Sequence, residues 1–153
     1  MLNHLLSWAI WLPILAGIIV ALIGSNGARA NIARWVALIG AIASFLVTLP
    51  LFSGFDRLNG GMQFTELASW IPALGLNYHL GVDGISVLLV ILNAFTTVLV
   101  VLAGWQVIQK KPAQYFAAFL IMSGLINGAF SALDAILFYA FFEGMLIPMY
   151  LII

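Results

Sequence analysis

One glutamate, Glu143, lies in an apolar stretch that has no other charged residue from Ala135 to Ile153. A charged side chain at the centre of a bilayer costs about 2.5–3.5 kcal/mol on insertion scales, so an intramembrane acid is a functional candidate by default. A carboxyl whose charge depends on a movable partner can load and release a proton. Glu143 is therefore the residue that we predict to do chemistry, and the chemistry is proton transfer.

The helix that carries Glu143 fixes its depth and its neighbours. If the last apolar stretch is a helix that starts at Asp134, Glu143 lies about 13.5 Å along the axis, close to the bilayer midplane. Tyr139 and Tyr150 are at positions i−4 and i+7, so they fall on the same face as the acid. We expect the two tyrosines to be supporting residues of the proton-transfer site.

Pro148 and Gly144 predict an unusual backbone beside the acid. Pro148 has no N–H to donate to the carbonyl of Gly144, and Gly144 leaves room for another group to approach. The pattern predicts a kinked, locally hydratable helix. Asn127 in the preceding span is a further candidate, because it could help to hydrate a path. The pattern otherwise favours packing and interhelical hydrogen bonds for the small and polar residues of the two preceding spans: Asn93, Thr96, Thr97, Ser123, Gly124, Asn127 and Gly128.

No cation in the sequence is placed to neutralise Glu143. The basic residues all fall in predicted loops or at helix ends: Arg29, Arg34, Arg57, Lys110 and Lys111. Either burial keeps the carboxyl protonated much of the time, or its cationic partner lies in another part of the protein. The alternative to a proton carrier is a protonated glutamic acid that holds helices together through a hydrogen bond.

Composition defines the environment of this residue. The 153 residues are 65% hydrophobic and only 7% charged, with a mean hydropathy of +1.19, which predicts an integral membrane protein. Basic and acidic residues balance at five each, so nothing indicates a nucleic-acid partner. Cysteine is absent and the two histidines are isolated, so we expect no cofactor or metal in this chain.

Apolar runs of membrane-spanning length predict an all-α, polytopic fold with a single membrane domain over residues 1–153. The predicted spans are 5–23, 32–52, 84–105, 115–130 and 134–153. A long connection covers residues 53–83, and its apolar part, residues 64–80, is interrupted by Pro72, Gly75 and Gly81. We expect that part to lie on the membrane surface or against partner subunits.

The basic residues predict the orientation. Arg29 and Arg34 flank the first loop, and Lys110 and Lys111 occupy the third, so both loops should face the cytoplasm and the N-terminus should be outside. Asp83 and Asp134 then read as N-caps at the outer surface. The first span lacks a basic n-region and is predicted to be a retained helix. The uncapped end, residues 150–153, predicts the N-terminal part of a longer protein.

Two motifs resemble a known family. The segments are Tyr78-His79-Leu80-Gly81-Val82-Asp83-Gly84-Ile85-Ser86 and Phe142-Glu143-Gly144-Met145-Leu146-Ile147-Pro148-Met149-Tyr150. They are similar to the antiporter-like membrane subunits of respiratory complex I, in particular the branch with bacterial subunit M and mitochondrial subunit 4. The resemblance runs across essentially the whole chain. It implies an antiporter-like fold of 14 helices, of which five are present here.

The resemblance also implies a function. It predicts a non-redox, proton-translocating subunit of NADH:quinone oxidoreductase in the bacterial inner membrane, surrounded by lipid and by other membrane and peripheral subunits. NADH, flavin, iron–sulfur clusters and quinone would belong to those partner subunits. In that family the acid matching Glu143 is essential for pumping and pairs with a lysine on a later helix. The alternatives are a subunit of a multisubunit cation/proton antiporter or membrane-bound hydrogenase, and a structural scaffold subunit without an ion path.

Overall fold

Five α-helices and one β-hairpin make up the computed structural model, which describes residues 4–153. The helices are α1 (Leu5–Ile23), α2 (Arg29–Ser53), α3 (Gly84–Val107), α4 (Pro112–Ser131) and α5 (Ala135–Ile152). The hairpin strands are β1 (Gln63–Ile71) and β2 (Leu76–Val82). All five helices are long and apolar enough to cross a membrane. The predicted class, a helical polytopic membrane protein with five spans, is confirmed.

The helices differ from the predicted spans mainly at their N-terminal ends. Helix α4 begins at Pro112 rather than at Tyr115, because proline fits the first helical turn, where its missing N–H would have no intrahelical partner. Helix α2 begins at Arg29 rather than at Ile32. Arginine is a good helix former, so the helix extends beyond the apolar residues that define the span.

Two aspartates cap the helices that they precede. The Asp83 carboxylate accepts hydrogen bonds from the backbone N–H groups of Ile85 (3.1 Å) and Ser86 (2.8 Å) at the start of α3. Asp134 accepts from Ile136 (2.9 Å) and Leu137 (3.3 Å) at the start of α5. Both were predicted as N-caps. The bonds from Ser86, followed by the bond from the Ile85 N–H, hold the pKa of Asp83 below its ordinary value of 3.8.

The connection between α2 and α3 contains the hairpin, which the sequence did not predict. Its antiparallel strands pair Gln63 with Val82 and Ala68 with Tyr78. They are joined by a short 3₁₀ turn, and Gly75 at the end of that turn has a left-handed φ of 68°. Strand β2 also reaches the turn between α4 and α5, where the Leu133 N–H donates to the His79 carbonyl at 2.9 Å. The hairpin thereby ties two distant connections together.

The connections separate into two ends of the bundle. At one end, the Arg34 guanidinium donates to the Ile108 carbonyl at 3.1 Å, and the Ala113 N–H donates to the Ser25 hydroxyl at 3.1 Å. These bonds join the α1–α2 turn to the α3–α4 connection, so the basic loops lie together. The hairpin and the α4–α5 turn lie at the other end. This segregation agrees with the pattern on which the predicted topology rests.

Helix α4 lies at the centre of the arrangement and approaches α1 very closely. A Cβ atom on Gly124 would lie 2.4 Å from the Ile10 carbonyl oxygen. A Cβ atom on Gly17 would lie 2.9 Å from the Ala117 carbonyl oxygen. Because small residues let backbones approach in membranes, where no hydrophobic effect drives helices together, these two glycines explain the tight α1–α4 contact.

Gly124→Ala is expected to destabilise the bundle, and Gly144→Ala is the matched control. Alanine gains about 1 kcal/mol in helix propensity over glycine. At Gly144 the added Cβ would meet nothing closer than Leu125 at 3.6 Å, so the variant should be neutral or stabilised. At Gly124 the clash with backbone should cost about 1–3 kcal/mol, and because both variants gain the same helix propensity, Gly124→Ala should be less stable than Gly144→Ala by that amount. Thermal unfolding in detergent measures both; equal midpoints would contradict the close contact.

Acid should weaken the Asp83 cap. Because its pKa is lowered in the folded state, its contribution is present above the ordinary pKa of 3.8 and is lost as the pH falls through the lower, folded value. Asparagine also caps helices but does not titrate. Asp83→Asn should therefore lose less stability than the parent between pH 5 and about pH 2. Thermal unfolding across this range is the measurement, and parallel losses would contradict the prediction.

Candidate proton-transfer site on the fifth helix

Glu143 lies on the side of α5 that faces away from the other helices. The buried residues of α5 are Leu137, Phe141 and Pro148, which form the stripe that packs on α4. At about 100° per residue, Glu143 is rotated by roughly 120–160° from each of them. Its side chain is accordingly exposed at the surface of the five-helix bundle. The packing of α5 thus leaves the carboxyl available to groups from outside these helices.

The two tyrosines predicted beside the acid are on the same exposed face. Tyr139 is 60% exposed and Tyr150 is 80% exposed. Tyr139 lies one turn before Glu143 on α5. Tyr150 and Glu143 line one surface hollow together with Gly144, Leu146 and Ile147. The face therefore combines one carboxyl and two phenols in an otherwise apolar surface.

Helix α5 runs through Pro148 without interruption. The Pro148 side chain is buried against the bundle, and its ring nitrogen cannot donate to the Gly144 carbonyl. A Cβ atom added at Gly144 would lie 3.6 Å from its nearest side chain, Leu125, which is an ordinary van der Waals distance. Gly144 directly follows Glu143 in the chain, whereas Pro148 lies on the buried stripe that faces α4. A hydrated backbone at this point stays a prediction.

Among residues 4–153, the ion pairs do not include Glu143. The ion pair in that part of the chain joins the His4 ring to the Glu66 carboxylate. Lys110 and Lys111 line a groove of about 790 Å³ between α4 and α5, together with Leu151 and Ile152. Those lysines lie at the far end of α5, since Ile152 is about 13.5 Å along the axis from Glu143. They are not placed to neutralise the acid.

Asn127 is not brought to Glu143. Its side chain is 1% exposed, and its amide Nδ2 donates to the Ala9 carbonyl on α1 at 3.0 Å. Its Oδ1 accepts from Asn93 Nδ2 on α3 at 2.8 Å. Asn127 therefore makes interhelical hydrogen bonds to α1 and α3, while α5 packs on another face of α4. A role for Asn127 in hydrating a proton path stays a prediction.

A second carboxylate, Glu66, forms a polar cluster that sequence reasoning missed. Glu66 is only 8% exposed. It accepts hydrogen bonds from the Ser7 N–H at 2.9 Å and the Ser7 hydroxyl at 2.8 Å, and His4 Nδ1 lies 3.0 Å from it. The Tyr78 hydroxyl joins the cluster, bonded to Ser7 and Trp11 at 3.1 Å each. Glu66 thus satisfies a free N–H at the start of α1 from a distant strand.

The fold and this site define a class of protein: a multi-pass helical membrane protein with an ionisable residue in one span. Residues 8–131 match the family model described as NADH-ubiquinone oxidoreductase chain 4, amino terminus. The matched residues include α2, α3, α4 and the hairpin, and most of α1. The chain belongs to this family. The match ends before α5, so it does not include Glu143.

Relatives and a solved structure agree with this membership. The chain is 46% identical over 154 residues to NADH-quinone oxidoreductase subunit M of Rhodobacter capsulatus, covering 99% of this chain and 30% of that protein. It is 38% identical to NADH-ubiquinone oxidoreductase chain 4 of Arabidopsis thaliana, covering 97% of this chain and 30% of that protein. The chain thus spans about 30% of the length of these relatives.

The solved structure is respiratory complex I from Thermus thermophilus with bound NADH. One of its chains superposes on this chain with a TM-score of 0.72 and 31% sequence identity. The superposition covers 97% of this chain and 27% of that chain. The arrangement of the five helices and the hairpin is therefore that of a membrane chain from this complex.

Glu66→Ala should loosen the hairpin from α1. The substitution leaves the Ser7 N–H without its acceptor in a partly buried site, at a cost of about 1–3 kcal/mol. We expect faster proteolysis within residues 53–83 and a lower midpoint of thermal unfolding. Asp56→Ala is the matched control, because Asp56 is exposed and its side chain bonds only within its own loop. Equal proteolysis of both variants would show that Glu66 does not hold the hairpin.

Proposed function

We propose that this chain is part of a proton-translocating, non-redox membrane subunit of NADH:quinone oxidoreductase, and that Glu143 is its proton-transfer group. Family membership supports the first part of the proposal. The position of Glu143 supports the second. The acid lies in the middle of an apolar span, faces outward from the bundle, and has no cation beside it among residues 4–153.

This geometry suits a group that changes its protonation state. A carboxyl without a fixed cation is neutral in an apolar setting and ionises when a cation or water reaches it. A carboxyl in a permanent ion pair would hold its charge and exchange protons poorly. The exposed face of α5 lets a partner approach, and a lysine on a later helix of the longer protein is the partner that we propose.

The rest of the proposal concerns the surroundings of the chain. The protein would reside in the bacterial plasma membrane, with the N-terminus and the hairpin outside and the basic loops in the cytoplasm. NADH, flavin, iron–sulfur clusters and quinone would bind to other subunits. Electron transfer in those subunits would drive proton movement through Glu143. The chain itself would then contribute to a translocating enzyme without holding a redox centre.

Glu143→Gln in the full-length subunit is expected to lower proton pumping by about a hundredfold or more, because an amide cannot carry the proton. Glu143→Asp should retain partial pumping, since it keeps the carboxyl and moves it by one methylene. The matched control is Asp134→Asn on the same helix, which exchanges a carboxyl for an amide and retains the cap. Pumping is measured as NADH-driven acidification in inverted membrane vesicles, with the amount of assembled complex quantified.

Each alternative predicts a different outcome. A complex that assembles poorly with Gln at this position, but pumps normally per assembled complex, would indicate a scaffold subunit. Purification without flavin- and iron–sulfur-bearing subunits, combined with sodium-for-proton exchange, would indicate an antiporter. Normal pumping by a fully assembled Glu143→Gln complex would overturn the role of Glu143.

A further inference from the structure

Pro13 leaves the Ala9 carbonyl without an intrahelical donor in α1, and Asn127 donates a hydrogen bond to it. In a regular helix the Ala9 carbonyl would accept from the N–H of residue 13, but Pro13 lies within α1 and has no N–H. The Asn127 amide donates to this carbonyl at 3.0 Å from α4. Ala9 and Asn127 are each 1% exposed, so water cannot substitute for the amide without opening the contact.

Both polar atoms of the Asn127 side chain form interhelical hydrogen bonds. While Nδ2 donates to Ala9, Oδ1 accepts from Asn93 on α3 at 2.8 Å. Asn93 also donates to the Ser123 carbonyl, one turn earlier on α4, at 2.9 Å. Two amides therefore connect α1, α3 and α4 at one level of the bundle. Sliding α4 along its axis or rotating it would break these bonds together.

The position of α4 determines the position of α5 through contacts of Gly128, the residue after Asn127. Gly128 packs against the Phe141 ring so closely that a Cβ atom would lie 2.7 Å from it. Phe141 is buried and precedes Glu143 by two residues. Leu125 on α4 lies opposite Gly144, where an added Cβ atom would be 3.6 Å from the Leu125 side chain. The residues on both sides of Glu143 thus rest on the segment of α4 that Asn127 anchors.

We propose that Asn127 is a positioning residue for Glu143, acting through the Ala9 carbonyl that Pro13 frees. Asn127 does not touch the acid. It sets the register of α4 on α1, and α4 sets the depth and direction of α5. The relevance to proton transfer rests on the proposed function, but the position of the carboxyl can be measured without it.

The test follows the reaction of Glu143 with a hydrophobic carbodiimide, which modifies protonated carboxyls in apolar surroundings. The full-length subunit in its membrane complex is labelled, and modification of Glu143 is followed by mass spectrometry. Asn127→Leu keeps the side-chain volume but removes the donor. Labelling requires a protonated carboxyl in apolar surroundings, and a change of about 1.4 kcal/mol in the free energy of protonation alters the protonated fraction about tenfold. Because a displaced α5 changes those surroundings, we expect the labelling rate to change by about tenfold.

Pro13→Ala provides the decisive comparison. Alanine restores the N–H at position 13, so the Ala9 carbonyl is satisfied within α1 and no longer needs Asn127. Pro13→Ala alone should label like the parent, because a carbonyl oxygen can accept two hydrogen bonds and Asn127 can still donate to it. Pro13→Ala combined with Asn127→Leu should regain part of the lost thermal midpoint but keep the altered labelling rate of Asn127→Leu, because no bond from Asn127 to α1 remains. A purely structural role for Asn127 would lower the thermal midpoint in Asn127→Leu without moving the labelling rate.

Two results would overturn the proposal. One is an Asn127→Leu complex in which Glu143 is labelled at the parent rate. The other is a double variant that labels at the parent rate, because a satisfied Ala9 carbonyl would then be enough without the bond from Asn127. Neither result bears on whether Glu143 carries protons, because that depends on pumping by Glu143→Gln and not on labelling.

Discussion

The close approach of α4 to α1 is the contact on which the rest of the structure depends. It requires Gly124 opposite the Ile10 carbonyl, where a side chain would meet backbone. It also requires Asn127, which satisfies the carbonyl that Pro13 leaves free. In the core of a bilayer, no water is available to donate a hydrogen bond to an unsatisfied carbonyl. Helices also gain little free energy when they replace contacts with lipid tails by contacts with apolar side chains. The close packing of α4 on α1 and the hydrogen bond between these helices therefore have to occur at the same depth in the bilayer.

Helix α5, in contrast to α4, packs against the bundle on one side only. It has three buried residues, all on the stripe that faces α4, and its other sides carry Tyr139, Glu143 and Tyr150. A helix held along one stripe keeps its direction while it leaves an ionisable face for additional partners. The contrast between α4, packed on several sides, and α5, packed on one, places Glu143 at the edge of the bundle.

The sequence predicted those parts of the fold that depend on hydrophobicity and on local capping. The five spans follow from apolar runs of bilayer length, and the caps at Asp83 and Asp134 follow from an acidic residue just before each run. The face shared by Glu143 and its tyrosines follows from helical periodicity. These features depend only on residues that are close together in the chain, so they can be predicted from a single sequence.

The hairpin and the Glu66 cluster depend on contacts between distant residues, which a single sequence does not contain. Strand β1 buries a carboxylate and leaves Leu67 and Trp70 exposed, so the usual alternation of apolar and polar residues is absent. The partners of Glu66 are about sixty residues away, at the start of α1. For the same reason, Asn127 could be recognised as polar but not assigned to the Ala9 carbonyl.

The bond between Ala9 and Asn127 has a consequence for how the protein is made. The two residues are separated by 118 positions, so at a synthesis rate of about ten residues per second α1 waits on the order of ten seconds for α4 to emerge. During that interval the Ala9 carbonyl has no hydrogen-bond donor from the protein. Helix α1 would have to remain near water or the insertion machinery, and the arrival of α4 would release it into lipid. The order of synthesis thus makes the first helix depend on the fourth for one backbone hydrogen bond.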